Sequence, residues 1–179
     1  RSTTRGGMRR RDAILATQPH FLYVAGGRMV IDELLQALTH SVRLLTVSQI
    51  AWLQNGPNSS ESAASARVRR LQASGVVNCR TAMIQLVRPE APLLNWTPER
   101  VEPDLSAVAY RNQLRWRSPA VRTAFVTATR LAGDLTGGAL PARRDLRPSD
   151  LSHDAALAWV FLLHYRGRNS VEWLHEDAL

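Results

Sequence analysis

The chain contains no lysine: all 23 of its basic residues are arginine. That absence excludes a lysine Schiff base, a phosphate-loop lysine and the lysine of common nuclease motifs. An arginine-only composition is also what a GC-rich genome produces, so it is not itself a sign of function. Cysteine occurs once, at Cys79. An intrachain disulfide and a Cys-based zinc site are therefore excluded, and a reducing, cytoplasmic setting is expected. No apolar run approaches the ~18 residues of a membrane span; the longest candidate runs only from Ala155 to Leu163. The opening RSTTRGGMRRRD leads into no apolar core with a small-residue cleavage site, so a signal peptide is not expected. The chain starts at Arg1 rather than Met, which suggests a trimmed or partial chain. No internal repeat is present.

What is there suits an ordinary domain, or a small domain plus a piece of another. The length is 179 residues, the apolar share 45% and the charged share 21%. This is enough apolar material for a core and too little charge for a disordered polyelectrolyte. The formal net charge of +8 is uneven. Residues 1–90 hold 12 Arg against 5 acids, and residues 91–179 hold 11 Arg against 10. The basic first half points to an anionic partner, nucleic acid or membrane surface.

The pattern divides the chain into four stretches. Residues 1–27 are a basic arm and lead-in, in which 21–27 reads either as a short strand or as a core-docked segment. Met29, Val30, Leu34, Leu35 and Leu38 recur near helical spacing and predict a helix over 28–40. Thr46 or Ser48 can cap a short helix with Ile50, Ala51 and Leu53 on its apolar face. NGPNSS at 55–60 is a turn signal. A helix over 61–74 places Ala64, Val68 and Leu71 on one face, with Ser62, Ala66, Arg69, Arg70 and Ala73 opposite and Arg67 on the flank. Gly75 sits where a helix C′ glycine belongs. VVNCR and MIQLVR then predict two short strands joined around Arg80-Thr81. This order, ending near residue 90, is that of a winged helix-turn-helix. Residues 91–150 read as a linker and helices, one over 104–116 and one starting with Ser118 and Pro119 and carrying Val121, Phe125 and Ala128. Residues 131–150 read as a long connection. Residues 151–179 read as an apolar helix to about Tyr165 and a strand over 170–176, the possible start of a truncated second domain. The expected fold is mainly α, α+β, with additional helices C-terminal to the wing.

The window 42–88 holds six Arg and one acid, Glu61. Arg67, Arg69 and Arg70 suit phosphates or guanine edges in a major groove, and small Ser62, Ala63 and Ala66 allow close approach. Arg80 and Arg88 on the wing, and Arg5, Arg9, Arg10 and Arg11 in the arm, are further candidate DNA contacts. The competing readings are a solvated basic face, an ordinary hairpin and a loose tail. His153-Asp154, with His164 eleven residues after His153, brings metal phosphohydrolases to mind, but a structural helix-terminal pair explains it more simply. Glu172, Glu176 and Asp177 form no complete nuclease site without a lysine. The glycine clusters at 25–28 and 133–138 match no phosphate loop, and the five Trp read as core or interface anchors. No catalytic residue, metal or cofactor is expected.

TVSQIAWL, ARVRRLQASGVV, LSHDAALAWVFL and VEWLHEDAL together resemble the replication-relaxation family, winged-helix proteins of plasmids, phages and integrative elements. The first two pieces are generic to winged helices; the helix opening His153-Asp154 and the strand with Trp173 and Glu176 are more telling. The similarity covers residues 45–90 and 150–179, and the chain stops where the family's second, α/β part would begin. The resemblance implies double-stranded DNA binding in plasmid or mobile-element replication, mobilisation or transcriptional control. The alternative is a protein–protein or dimerisation module on the same scaffold, with a homodimer through the 104–132 helices and no intrinsic DNA specificity.

Overall fold

Thr46 marks the clearest junction in the chain. It ends a two-residue strand, β3 (Leu45–Thr46), and caps helix α2 (Val47–Asn55). The Gln49 N–H donates to Thr46 Oγ1 at 3.3 Å, and the Thr46 N–H donates to Gln49 Oε1 at 2.9 Å. This reciprocal box satisfies two of the donors that every helix start leaves open. The computed structural model describes residues 22–25, 28–31, 33–89, 93, 94, 96–137 and 146–166. The arginine arm at 1–12 and the expected strand at 170–176 lie outside the described residues.

The helix expected over 28–40 divides in two. Arg28–Ile31 (β2) pairs antiparallel with Leu22–Ala25 (β1), Leu22 opposite Ile31. Val30-Ile31 is β-branched, which suits a strand better than a helix. Helix α1 (Glu33–Gln36) starts only after it and widens into a π-type turn, Ala37–Ser41. The Val42 N–H closes that turn on Ala37 O at 2.9 Å.

Helix α3 (Glu61–Ala73) ends as the sequence predicts. Gly75 has φ +76°, a left-handed conformation that costs glycine no Cβ clash. The Val76 N–H reaches Leu71 O at 3.2 Å and the Gly75 N–H reaches Gln72 O at 2.9 Å. That pair of bonds is a Schellman motif, and it turns the chain straight into strand β4 (Val77–Ile84).

Here the structure corrects the sequence reading. VNCRTAMI is one unbroken strand, with Arg80-Thr81 in its middle and no turn there. Its partner is β5 (Val121–Ala128), the segment expected to be a helix after Ser118. VRTAFVTA is rich in β-branched residues, which suit a pleated, half-buried surface better than a helix. Between the strands runs an excursion, residues 85–120, with helix α4 (Leu105–Arg115) capped by Asp104 Oδ1. Helix α5 (Arg130–Thr136) forms within the expected long connection, and α6 (Leu151–Arg166) follows.

The sheet is antiparallel, in the order β3-β5-β4, with Leu45 opposite Val126 and Cys79 also opposite Val126. Its two faces feed two apolar clusters. Val77 and Val126 join the larger one with Leu34, Leu38, Ile50, Ala64, Val68 and Leu71. Ile84 and Phe125 join Leu44, Leu151 and Ala155 in the smaller one. Helix α6 locks onto α2: Trp52 and Trp159 meet edge to face at 5.7 Å, and Gln49 Nε2 donates to Ala155 O at 2.6 Å. Arg43 Nη1 lies 3.3 Å from Asp154 Oδ2, with Asp154 buried. The architecture is mixed α and β, with helices packed around a small antiparallel sheet. Among the described residues, no helix is long and apolar enough to cross a membrane.

Candidate nucleic-acid interface

Burial sorts the residues of α3 as its apolar spacing requires. Ala64, Val68 and Leu71 are buried in the larger cluster. Ser62, Ala63, Arg69 and Arg70 are exposed, while Ala66 and Arg67 are half-buried. Ser62 Oγ and Ser60 Oγ are hydrogen-bonded at 2.6 Å at the helix start. Glu61 lies in the first turn and Arg70 in the last, each favourable to the helix dipole. The only salt bridge among the described residues is Arg43–Asp154, so no carboxylate neutralises Arg69 or Arg70 there. Residues 62–89 contain five Arg and no acid. The result is a rigid helix with an apolar anchor on one side and small residues and guanidinium groups on the other.

The hairpin strands distribute their arginines between two faces. In an antiparallel pair, directly opposed residues share a face and successive residues alternate. Arg80 stands opposite Phe125, and so belongs to the face of the smaller cluster, where α6 begins. Arg122 stands opposite Met83, on the face whose Val77 and Val126 pack with α3. Both arginines are exposed. Arg88 lies elsewhere: its guanidinium carbon sits 4.9 Å from the Trp159 ring centroid, a cation–π contact on α6. The sequence-predicted set therefore separates. Ser62, Ala66, Arg67, Arg69 and Arg70 share one helix, Arg80 stands on the opposite sheet face, and Arg88 is stacked on protein. Arg122 did not enter that set because its segment read as a helix; the alternation of β-branched residues around it was the available signal.

The other chemistry weighed in the sequence resolves simply. Asp154 turns inward to Arg43, while His153 is exposed at a cleft of about 140 Å³ between α4 and α6. Among the described residues, no group of three or more His, Cys, Asp or Glu could hold a metal ion. Glu172, Glu176 and Asp177 lie outside the described residues. Comparison with protein-family models, curated proteins and solved structures gives no match to this chain.

Proposed function

We propose that the chain is a winged helix-turn-helix protein that binds double-stranded DNA, with α3 as the recognition helix and the β4–β5 hairpin as the stem of an enlarged wing. The observation that carries this reading is α3 itself, anchored by Ala64, Val68 and Leu71 and presenting Arg69 and Arg70 outward with Arg67 beside them. The order α1, β3, α2, α3, β4, β5, with β3 and β4 flanking β5, supports this reading: in a helix-turn-helix the second helix of the pair enters the major groove. Ser62 and Ala66 let the backbone approach the groove, and arginine can pair bidentately with guanine O6 and N7 or bridge phosphates. Arg122 adds a phosphate contact from the wing, where Arg80 and Arg88 are less well placed. The resemblance to the replication-relaxation family assigns this binding to plasmid or mobile-element replication, mobilisation or transcriptional control.

Fluorescence anisotropy with duplex DNA over a salt series tests the reading. Neutralising about four to six phosphates gives a slope of log K against log salt of roughly −4 to −5. Changing Arg67, Arg69 and Arg70 together to Ala is expected to flatten the slope by about 3 while the circular dichroism spectrum stays unchanged. Salt-independent binding, or a triple variant that binds like the parent, overturns the proposal. Selection from a random duplex pool at two salt concentrations then separates a sequence-specific regulator or origin binder from an architectural one.

A further inference from the structure

Helix α4 has no buried residue. An isolated helix of 11 residues is too short to hold itself together in water, so it depends on what packs against it. One side has a partner within the chain. Asn112, Arg115 and Trp116 face His153, Leu157 and Val160 of α6 across the cleft, and Arg111 donates to Ala107 O and Leu93 O at 3.4 Å. The other side carries Ser106, Ala109, Tyr110, Gln113 and Leu114, all exposed, with Leu105 at its edge. Nine of the eleven exposed large apolar residues among those described fall between Met83 and Val121, including Val101 at 92%, Leu105 at 64% and Tyr110 at 56% exposure. An apolar concentration of this kind marks an interaction surface.

Charge selects the occupant. The N-terminal approach to α4 carries Glu99, Glu102 and Asp104 against Arg100 alone, and at the C-terminal end Arg117 stands with no acid near it in sequence, Arg111 and Arg115 being turned to the side of α6. Thr97 and the backbone N–H of Glu99 hydrogen-bond the Glu99 carboxylate and hold it below the usual carboxylate range. The helix is thus acidic at one end and basic at the other, in the sense that its own dipole favours. A polyanion would meet repulsion at the acidic end and gain nothing from Val101, Leu105 or Tyr110. A second α4 laid antiparallel meets opposite charge at both ends.

We propose that the outer face of α4 binds a second copy of this chain as an antiparallel, two-fold helix pair. With the axis between Ala109 and Tyr110, Ser106 of each copy lies opposite Gln113 of the other and Ala109 opposite Tyr110; Tyr110 and Leu114 of both copies line one edge of the seam, and Leu105, half a turn from Leu114, lies at the other edge. Glu102 then reaches Arg117. Apolar side chains gather along one edge, small meets large at the axis and acid meets base at the ends, the self-complementarity an isologous contact requires. Two copies so joined present two α3 helices, and the DNA site becomes a pseudo-palindrome. That consequence rests on the proposed DNA reading; the pairing itself does not.

Sedimentation velocity on the whole chain without DNA tests the pairing apart from that reading. A small interface predicts a reversible dimer with Kd on the order of 1–100 µM. Arg117→Glu and Glu102→Arg are each expected to weaken association about tenfold, and the double exchange to restore it to within about threefold. Both residues are exposed, and unchanged thermal melts of the variants at low concentration verify folding. A wild-type chain still monomeric at roughly 200 µM, above the range such an interface allows, overturns the proposal. So do single variants without effect, or a double variant as weak as the singles. A monomer that binds an acidic peptide or duplex DNA through α4 overturns it equally.

Discussion

Helices α3 and α4 are similar in composition and opposite in support. Each carries arginines and little acid, and each stands next to a strand of the same hairpin. Helix α3 buries Ala64, Val68 and Leu71 in the core and is closed at its end by Gly75. Helix α4 buries nothing and is held by a few tethers: Gln85 Nε2 donates to Trp116 O at 2.8 Å and to Ser118 O at 2.6 Å. The first holds its guanidinium groups on a support fixed by the core. The second is an appendage held at its ends and along one side only. An arginine count alone does not separate them; what lies opposite the arginines does.

The comparison breaks first at the anchor. Leu71→Ala removes a fully buried side chain of the larger cluster and keeps the backbone carbonyl that closes the Schellman motif. The expected loss is about 2–5 kcal/mol of unfolding free energy, read from urea denaturation. A loss below about 1 kcal/mol would mean that α3 is no better supported than α4. The tether is the next test. Gln85→Ala leaves the two carbonyls to water and is expected to cost about 1 kcal/mol. Its clearer signature is local: trypsin cleavage at Arg111 and Arg117 speeds up while cleavage at Arg69 and Arg70 does not. Equal acceleration at both helices would show that the excursion and the core open as one unit.

The same contrast decides what the sequence could disclose. Everything that builds α3 is local. The spacing of Ala64, Val68 and Leu71, the turn residues at 55–60 and the glycine at position 75 lie within a few turns of one another, so the helix, its stop and its two faces were legible. The Thr46 cap was legible for the same reason. Strand β5 was not, because its partner lies across the excursion at 85–120 and no local signal records that pairing. A run such as VRTAFVTA satisfies helical spacing at Val121, Phe125 and Ala128 as readily as it alternates. The Pro-rich sequence after Arg88 hid the fact that the hairpin resumes later. Asp154 teaches the same lesson from the other side. Beside His153 it read as structural rather than as a metal ligand, but its partner, Arg43, lies 111 residues away and no local signal named it. The arginines of the site divide accordingly. The face that holds those on α3 was readable from their own helix, Arg122 was read as helical, and Arg88 was assigned to the wing without sight of Trp159.

The smallest effect is expected on the exposed face of α4. Tyr110 is 56% exposed, so Tyr110→Ala removes little that the folded monomer buries. At submicromolar chain concentration its unfolding free energy should stay within about 0.5 kcal/mol of wild type, several times less than the loss at Leu71. Concentration then separates a bare appendage from an interface. A binding equilibrium that favours the folded chain raises the melting temperature as the chain is concentrated. The wild-type melting temperature should therefore climb with concentration, and the Tyr110→Ala variant should climb less. If the two proteins melt alike at every concentration, Tyr110 is merely solvent-exposed, and α4 contrasts with α3 only by being less well supported. If they diverge as concentration rises, the difference between the helices is one of partner: the first is completed by its own core, the second by another chain.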